Sequence, residues 1–238
     1  MFDIFDNDSD FYKYYLQLFP KRYTENCFSS FLYYVVHELS RSNPNVIVDP
    51  NELRMLRENT LESTTNAVNY LFNSGEEIDK IYPYHIKQVA NLVNEPEGYE
   101  GYRKTAVDVR NSAFVPTPAR GIPAKMMSLI DNYHNVWDLL DPYEREAKFH
   151  IFMVRIQPFE DGNKRTAQLI TGFNLMKNGY PPILIKENDR DEYINYIVQN
   201  DEASFADYLR LKSKEELEYI KQLYIEYKNE NINSAMSR

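Results

Sequence analysis

The chain has 238 residues, a formal net charge of −9 and a single cysteine, Cys27. That is enough chain for one large domain with a sizeable core, or for a core with an appended piece. The negative balance argues against nucleic acid and anionic membranes as partners. One cysteine leaves no internal disulfide and suits a reducing compartment.

The N-terminus, Met-Phe-Asp-Ile-Phe-Asp-Asn-Asp, is acidic, with neither a basic n-region nor a long apolar run. No signal peptide or membrane span is expected, and the location reads as cytoplasmic. Residues 8–43 read as two helices. Asp8-Ser9-Asp10 offers an N-cap, and Phe11, Tyr14, Tyr15 and Leu18 share a face. Pro20 is expected to end the first helix. Thr24 precedes the second, whose apolar residues are Phe28, Phe31, Leu32, Val35, Val36 and Leu39. Cys27 falls in that run, where core packing is its expected role, and His37 lies one step off the face. Asn43-Pro44-Asn45 breaks the pattern. Val46-Ile47-Val48 fits a strand or a buried connector. A third helical region follows Asp49-Pro50, with proline at the favourable first position.

Ile78 to Val93 reads as a helix interrupted or started near Pro83, with His85 structural. Residues 95–103 form a loop with two glycines. Val107 and Val109 alternate with polar neighbours, Asp108 among them, and Asn111-Ser112 can turn the chain, so this stretch reads as a small hairpin. Pro123 starts a helix to about Leu140, with Met126, Leu129, Ile130, Tyr133, Val136 and Trp137 on its buried face and His134 beside it.

Residues 147–170 carry the chemistry and read as helix, tight loop, helix. Phe149, Phe152, Met153 and Ile156 are spaced i, i+3, i+4, i+7, so one face is buried. Pro158 disfavours a helical Gln157 and ends the first helix there. Gly162 and Asn163 supply turn chemistry. A second apolar run starts near Lys164 and passes through Leu169, Ile170, Phe173 and Leu175. A Gly-Asn turn opening a helix, with Lys164 and Arg165 in the first turn, is an anion site: free N–H groups, the positive end of the macrodipole and two cations converge. Asp161 is a hard oxygen ligand suited to Mg2+ shared with phosphates. An ordinary helix–turn–helix with a polar turn is the plainer alternative. His150 lies about two helical turns, roughly 10 Å, from Gln157 and cannot replace a base there.

This stretch resembles the Fic family motif, His-Pro-Phe-x-Asp/Glu-Gly-Asn-Gly/Lys-Arg-x-x-Arg. Pro158, Phe159, Asp161, Gly162, Asn163, Lys164 and Arg165 match it. Gln157 stands where the family has its catalytic His, and Gln168 where it has its second Arg. Arg57 to Thr65 looks like the family's inhibitory segment, Ser/Thr-x-x-x-Glu-Gly/Asn, with only Glu62 matching. In the family that Glu ion-pairs with the second Arg. Facing Gln168, Glu62 keeps at best a hydrogen bond. A solvated Glu on a polar helix face is the alternative. Gly101, Tyr102 and Arg103, the stretch 105–118 and the exit prolines Pro116 and Pro118 resemble the family's flap, which holds an extended protein target by strand addition. Val107, Asp108 and Val109 are its target-binding residues on this resemblance.

The resemblance covers roughly residues 51–212. It implies an all-α Fic-type domain with one small β-hairpin flap. Residues 1–50 would be N-terminal helices packed on the core, and 213–238 a C-terminal helix and tail. It implies transfer of AMP from ATP, with Mg2+, to a Ser, Thr or Tyr hydroxyl of an unidentified protein. The Doc branch, which transfers a phosphoryl group, shares Lys164 but has Ala at the Gly162 position. Catalytic positions are Gln157, Asn163 and Arg165. Nucleotide-binding positions are Phe159, Gly162, Asn163, Lys164 and Arg165. The metal position is Asp161.

A primary amide has no titratable nitrogen near neutrality, so Gln157 cannot be a general base. Three readings follow: a weakened enzyme, a nucleotide- or target-binding module without catalysis, and an enzyme into which Gln was introduced by design. Beyond the motif, Asn178-Gly179 with Pro181-Pro182 ends the helix. Asn188 to Tyr193 opens the next one. Residues 203–227 give one or two more helices, with Leu217, Ile220, Leu223, Tyr224 and Tyr227 as a stripe for core packing or a homodimer face. Residues 229–238 are expected to fray.

Overall fold

In the computed structural model, residues 5, 8–42, 49–73, 78–94, 98, 100–107, 109 and 114–236 are described, without the side chains of 27–42, 73, 187 and 234–236. Among them the chain is all-helical: α1 Ser9–Ser42, α2 Pro50–Asn73, α3 Pro83–Val93, α4 Ile122–Asp131, α5 Pro142–Ile156, α6 Asn163–Lys177, α7 Arg190–Gln199 and α8 Glu202–Met236. No strand occurs among the described residues. Asp108 and residues 110–113 of the expected hairpin lie outside them, as do residues 43–48 with the Val46-Ile47-Val48 run and the side chains of Cys27 and His37.

The helix starts follow local chemistry. Asp8 Oδ1 accepts from Phe11 N–H at 3.0 Å, and Asp49 Oδ1 from Asn51 N–H at 2.8 Å. Asp141 Oδ1 accepts from Tyr143 N–H at 3.0 Å. Each satisfies a donor that a helix N-terminus leaves open. Proline sits in the first turn of α2, α3, α4 and α5, where its missing N–H costs nothing. α6 ends at Gly179, φ +75°, with Tyr180 N–H on Leu175 O at 2.9 Å and Gly179 N–H on Met176 O at 3.0 Å, which closes the last carbonyls as a Schellman motif.

Three expectations are corrected. Residues 9–42 form one helix with Pro20 inside it. Proline there removes a helical hydrogen bond and crowds the preceding turn. The flanking aromatic residues Tyr15, Phe19 and Tyr23 are buried as a continuous row of ring contacts, and that packing outweighs the local cost. The helix from Pro123 stops short of Leu140: Asn132–Val136 is a π-helical turn followed by turns. The wider turn shifts the register, so Val136, expected in the core, is 64% exposed. Residues 229–236 continue α8 rather than fray.

α5 and α6 pack against each other at the centre, and α8 lies along α5. Phe149, Ile151, Met153, Ile170 and Phe205 are fully buried there. α1 returns the chain's first helix to α8: Phe11 and Tyr14 pack on Tyr224 and Tyr227. Tyr15 Oη and Arg22 Nη2 both donate to the buried Glu216 carboxylate, at 3.0 and 2.8 Å. The α8 stripe is thus largely spent on the chain's own core. No helix among the described residues is long and apolar enough to cross a membrane.

Candidate active site

The loop between α5 and α6 is held by bonds at almost every residue. Gln157 leaves the helix in the left-handed region, φ 49° and ψ 61°, which costs a non-glycine residue about 1–2 kcal/mol. Its backbone is fastened on both sides: N–H donates to Val154 O at 3.2 Å, and the carbonyl accepts from Arg103 Nε at 2.6 Å. Its side chain is fastened too. Nε2 donates to Val154 O at 2.7 Å, and Oε1 accepts from Asn163 Nδ2 at 3.0 Å. Asn163, itself buried, spans the loop: Oδ1 accepts from Phe159 N–H and Nδ2 donates to Phe159 O, both at 2.9 Å. Phe159 is buried, 5.8 Å from the Tyr102 ring.

Gly162 has φ +71°, and a Cβ there would lie 2.4 Å from Asn94 Oδ1. Glycine is required twice over, by the backbone angle and by the space. Asn94, at the end of α3, also donates from Nδ2 to Asp161 O at 2.9 Å. Arg165 donates to Asp161 Oδ2 at 3.0 Å and, at 3.4 Å each, to Val93 O and Asn94 Oδ1. Tyr23 of α1 donates its hydroxyl to Arg165 O at 2.9 Å.

α6 opens at Asn163 with no side-chain cap from Gly162. The N–H groups of Asn163 and Lys164 have no acceptor among the described residues. Lys164 reaches solvent, yet the protein crowded around its ammonium lowers its pKa. Arg190 and Arg165 push it the same way, and Asp161 opposes them. Cations and open N–H groups thus converge on one helix end, an arrangement suited to phosphate. No group of three or more His, Cys, Asp or Glu side chains placed to hold a metal ion occurs among the described residues. Of the two exposed loop carboxylates, Glu160 is engaged by Lys104 and Thr105, and Asp161 is the one whose chemistry fits Mg2+ with phosphate oxygens and water as its other ligands.

Residues 77–175 match the Fic/DOC family model. Over that stretch the chain resembles the Fic/DOC family. A protein adenylyltransferase Fic of Nematostella vectensis is 34% identical over 119 residues, covering 48% of this chain and 26% of that protein. One of Culex quinquefasciatus is 32% identical over 126 residues, covering 52% and 24%. The matched stretch therefore spans about a quarter of the length of these relatives. A Fic-domain-containing signaling protein of Bacteroides thetaiotaomicron shares the fold, with TM-score 0.71 and 21% identity over 90% of this chain and 89% of that one.

The Fic motif's neighbours are placed less uniformly. Gln168 lies half-buried one turn beyond Lys164 on α6. Glu62 is exposed on α2 and takes part in no hydrogen bond or ion pair among the described residues, so none joins it to Gln168. Val107 and Val109 are half-buried and outside any strand. His150 is fully buried, with Nδ1 3.1 Å from Thr171 Oγ1 and Nε2 2.8 Å from Tyr193 Oη. Burial pulls its pKa down to about 3, so it is a neutral core residue. Sequence reasoning named Arg103 without its task, and it missed Asn94 and Tyr23, which brace the loop and the start of α6 from distant segments, and Glu160 within the loop, which accepts from Lys104 and Thr105. The Gly101-Tyr102-Arg103 run signalled Arg103, and nothing local signalled the other three.

Proposed function

We propose that this chain is a Fic-type domain that binds ATP with Mg2+ and transfers AMP to a protein hydroxyl only at a strongly reduced rate. The observation that carries this reading is Gln157. Both ends of its amide are taken by the flanking helices, at Val154 O of α5 and Asn163 Nδ2 of α6, and an amide has no proton-accepting nitrogen near neutrality. The names of the relatives, protein adenylyltransferases, support ATP as the nucleotide and a protein as the acceptor.

In this reading the N–H groups at the start of α6, Lys164 and Arg165 bind the phosphates. Phe159 and Asn163 keep the loop in shape around them. Asp161 would hold Mg2+ together with phosphate oxygens, exchanging its bond to Arg165 for the metal, which would neutralise phosphate charge. The target's hydroxyl oxygen forms a bond to the α-phosphorus, and pyrophosphate leaves. The hydroxyl proton has no acceptor at position 157 and passes to solvent, which is why transfer is slow. Glu62, unbonded and facing solvent, no longer restrains the site.

A general base is typically worth about 10²–10⁴-fold, or roughly 2.7–5.5 kcal/mol of barrier. Gln157→His is therefore expected to raise transfer by at least about 10²-fold. Self-modification with ATP labelled on the α- or the γ-phosphate measures it without a known target. Label from the α-phosphate alone supports AMP transfer; label from the γ-phosphate alone makes the site Doc-like. An original chain as fast as the His variant would remove Gln157 from the explanation. A His variant that binds nucleotide yet stays inert with both labels would make the domain a binding module.

A further inference from the structure

Asn94, the residue that ends α3, serves three neighbouring residues of the active loop at once. It is 2% exposed. Its main chain is pinned on both sides: N–H donates to Ala90 O, and the carbonyl accepts from Gly98 N–H, both at 3.0 Å. The side chain therefore enters the loop from a fixed point. Nδ2 donates to the Asp161 carbonyl at 2.9 Å. Oδ1 accepts from Arg165 Nη2 at 3.4 Å. The same oxygen lies against Gly162, where a Cβ would stand 2.4 Å from it. One buried amide thus meets Asp161, Gly162 and Arg165. The carbonyl needs a donor and the guanidinium an acceptor, and an amide offers both on one rigid group. Leucine would offer neither, and aspartate only the acceptor.

We propose that Asn94 is the positioning residue for the metal and phosphate groups of this loop: it keeps the Asp161 main chain and the Arg165 guanidinium in register, before and after Asp161 gives up its bond to Arg165. Magnitudes favour Asn94 over the direct pair. The Asp161–Arg165 bond, at 3.0 Å, joins residues four apart, and the Asp161 side chain is 60% exposed. Such a pair is worth little in water and opens readily. The Asn94 side chain makes its bonds out of water, where a partner left unsatisfied keeps its full desolvation cost. Once the Asp161 carboxylate turns to a metal ion, the direct pair is gone. Asn94 Nδ2 still holds the Asp161 main chain, and Asn94 Oδ1 and Val93 O, each at 3.4 Å, still keep Arg165 beside the loop. Buried as it is, Asn94 acts through Asp161 and Arg165 and is not itself catalytic. The ligand part of this proposal rests on the nucleotide reading above.

The test compares the original chain with Asn94→Asp, Asn94→Ala, Gly162→Ala and the double variant Asn94→Ala/Gly162→Ala. Calorimetry measures ATP affinity with excess Mg2+ and with a chelator in its place. Asn94→Ala is expected to lose at least about ten-fold in affinity with Mg2+, the worth of one buried hydrogen bond, and no more than about three-fold without it. Metal-free ATP makes no use of the Asp161 carboxylate, so the placing of that group matters only when Mg2+ is present. Asn94→Asp sets a carboxylate against Arg165 and holds it back from phosphate, so it should lose at least about ten-fold even with the chelator. An equal loss under both conditions for Asn94→Ala is what general loosening of the loop would give, and it overturns the proposal. Unchanged affinity in both Asn94 variants does the same. Urea unfolding adds a measurement without nucleotide. Gly162→Ala should lower the urea midpoint markedly in the original chain and distinctly less beside Asn94→Ala, where the space is open. Equal shifts overturn the proposal. Should Asn94→Ala not fold, Asn94→Ser opens most of the same space and takes its place. If the original chain binds ATP under neither condition, the nucleotide reading falls, and the unfolding comparison alone decides whether Asn94 sets the loop.

Discussion

The middle of α5 and its C-terminal end carry polar groups of opposite kinds. Mid-helix, Glu146 and His150 are buried and titratable, with pKa values displaced by burial to about 7 and about 3. At the end, where acid–base chemistry would be done, the residue is an amide locked between Val154 and Asn163. Displaced pKa values usually gather at functional sites. Here they mark the core, where Glu146 Oε1 accepts from Tyr133 Oη and Oε2 from Asn174 Nδ2 at 3.0 Å. A perturbed group is a functional signal only when solvent or substrate can reach it. The end of α5 leads into a braced loop whose residue 157 offers no proton-accepting nitrogen.

The sharpest way to break this contrast is at the scaffold. Gly162→Ala forces a side chain into left-handed backbone and places its Cβ 2.4 Å from Asn94 Oδ1. Left-handed strain of about 1–2 kcal/mol and overpacking of about 1–3 kcal/mol together predict a loss of about 3 kcal/mol. Denaturant unfolding would show it, together with loss of ATP affinity. A loss below about 1 kcal/mol would mean the loop is far softer than its bonds imply.

The core half is tested by pH. Folding raises the Glu146 carboxyl from 4.5 to about 7, because burial outweighs the bonds from Tyr133 and Asn174 and the charge of Arg145. The folded protein keeps a proton that the unfolded chain has released, so this contribution is fully present below about pH 4.5 and is lost as pH rises to about 7. Glu146→Gln stays neutral throughout. Its stability relative to the original chain should therefore rise by about 2–3 kcal/mol between pH 4.5 and pH 7.5, at roughly 1.36 kcal/mol per unit. Parallel stability curves for the two chains would return Glu146 to an ordinary carboxylate. His150 works in the opposite sense in both chains, so the difference isolates Glu146.

The smallest expected effect belongs to Glu62. It is exposed and unbonded on α2, so Glu62→Ala should change stability by less than about 0.5 kcal/mol. ATP affinity should stay within two-fold. A strong gain in affinity would show that Glu62 still obstructs the phosphates.

What the sequence made legible was local. Asp8 caps its helix as its position foretold, Pro50 opens α2 as expected, and the Pro158 to Arg165 run lies at a helix N-terminus as its turn chemistry requires. What it hid was set by distant packing. Pro20 reads as a stop because its local cost is visible and the aromatic row around it is not. The π turn at Asn132–Val136 has no composition of its own. Asn94 and Tyr23 reach the loop across 67 and 142 residues. Glu146 left a trace that went unread: it precedes Phe149 and His150 by one helical turn on the same buried face.

α1 and α8 also meet at their far ends, where Lys228 Nζ lies 2.5 Å from Asp8 Oδ2. The start of α1 and residue 228, eight residues before α8 ends, are therefore neighbours in space. Joining them through a short linker costs little loop-closure entropy. The turn at Leu139, 97% exposed between the π turn and α5, then offers a place to open the ring. Such a circular permutant would present α5, its loop and α6 first and α1 in mid-chain, with Tyr23 still able to reach Arg165. The order of the helices along the chain would change while their arrangement did not.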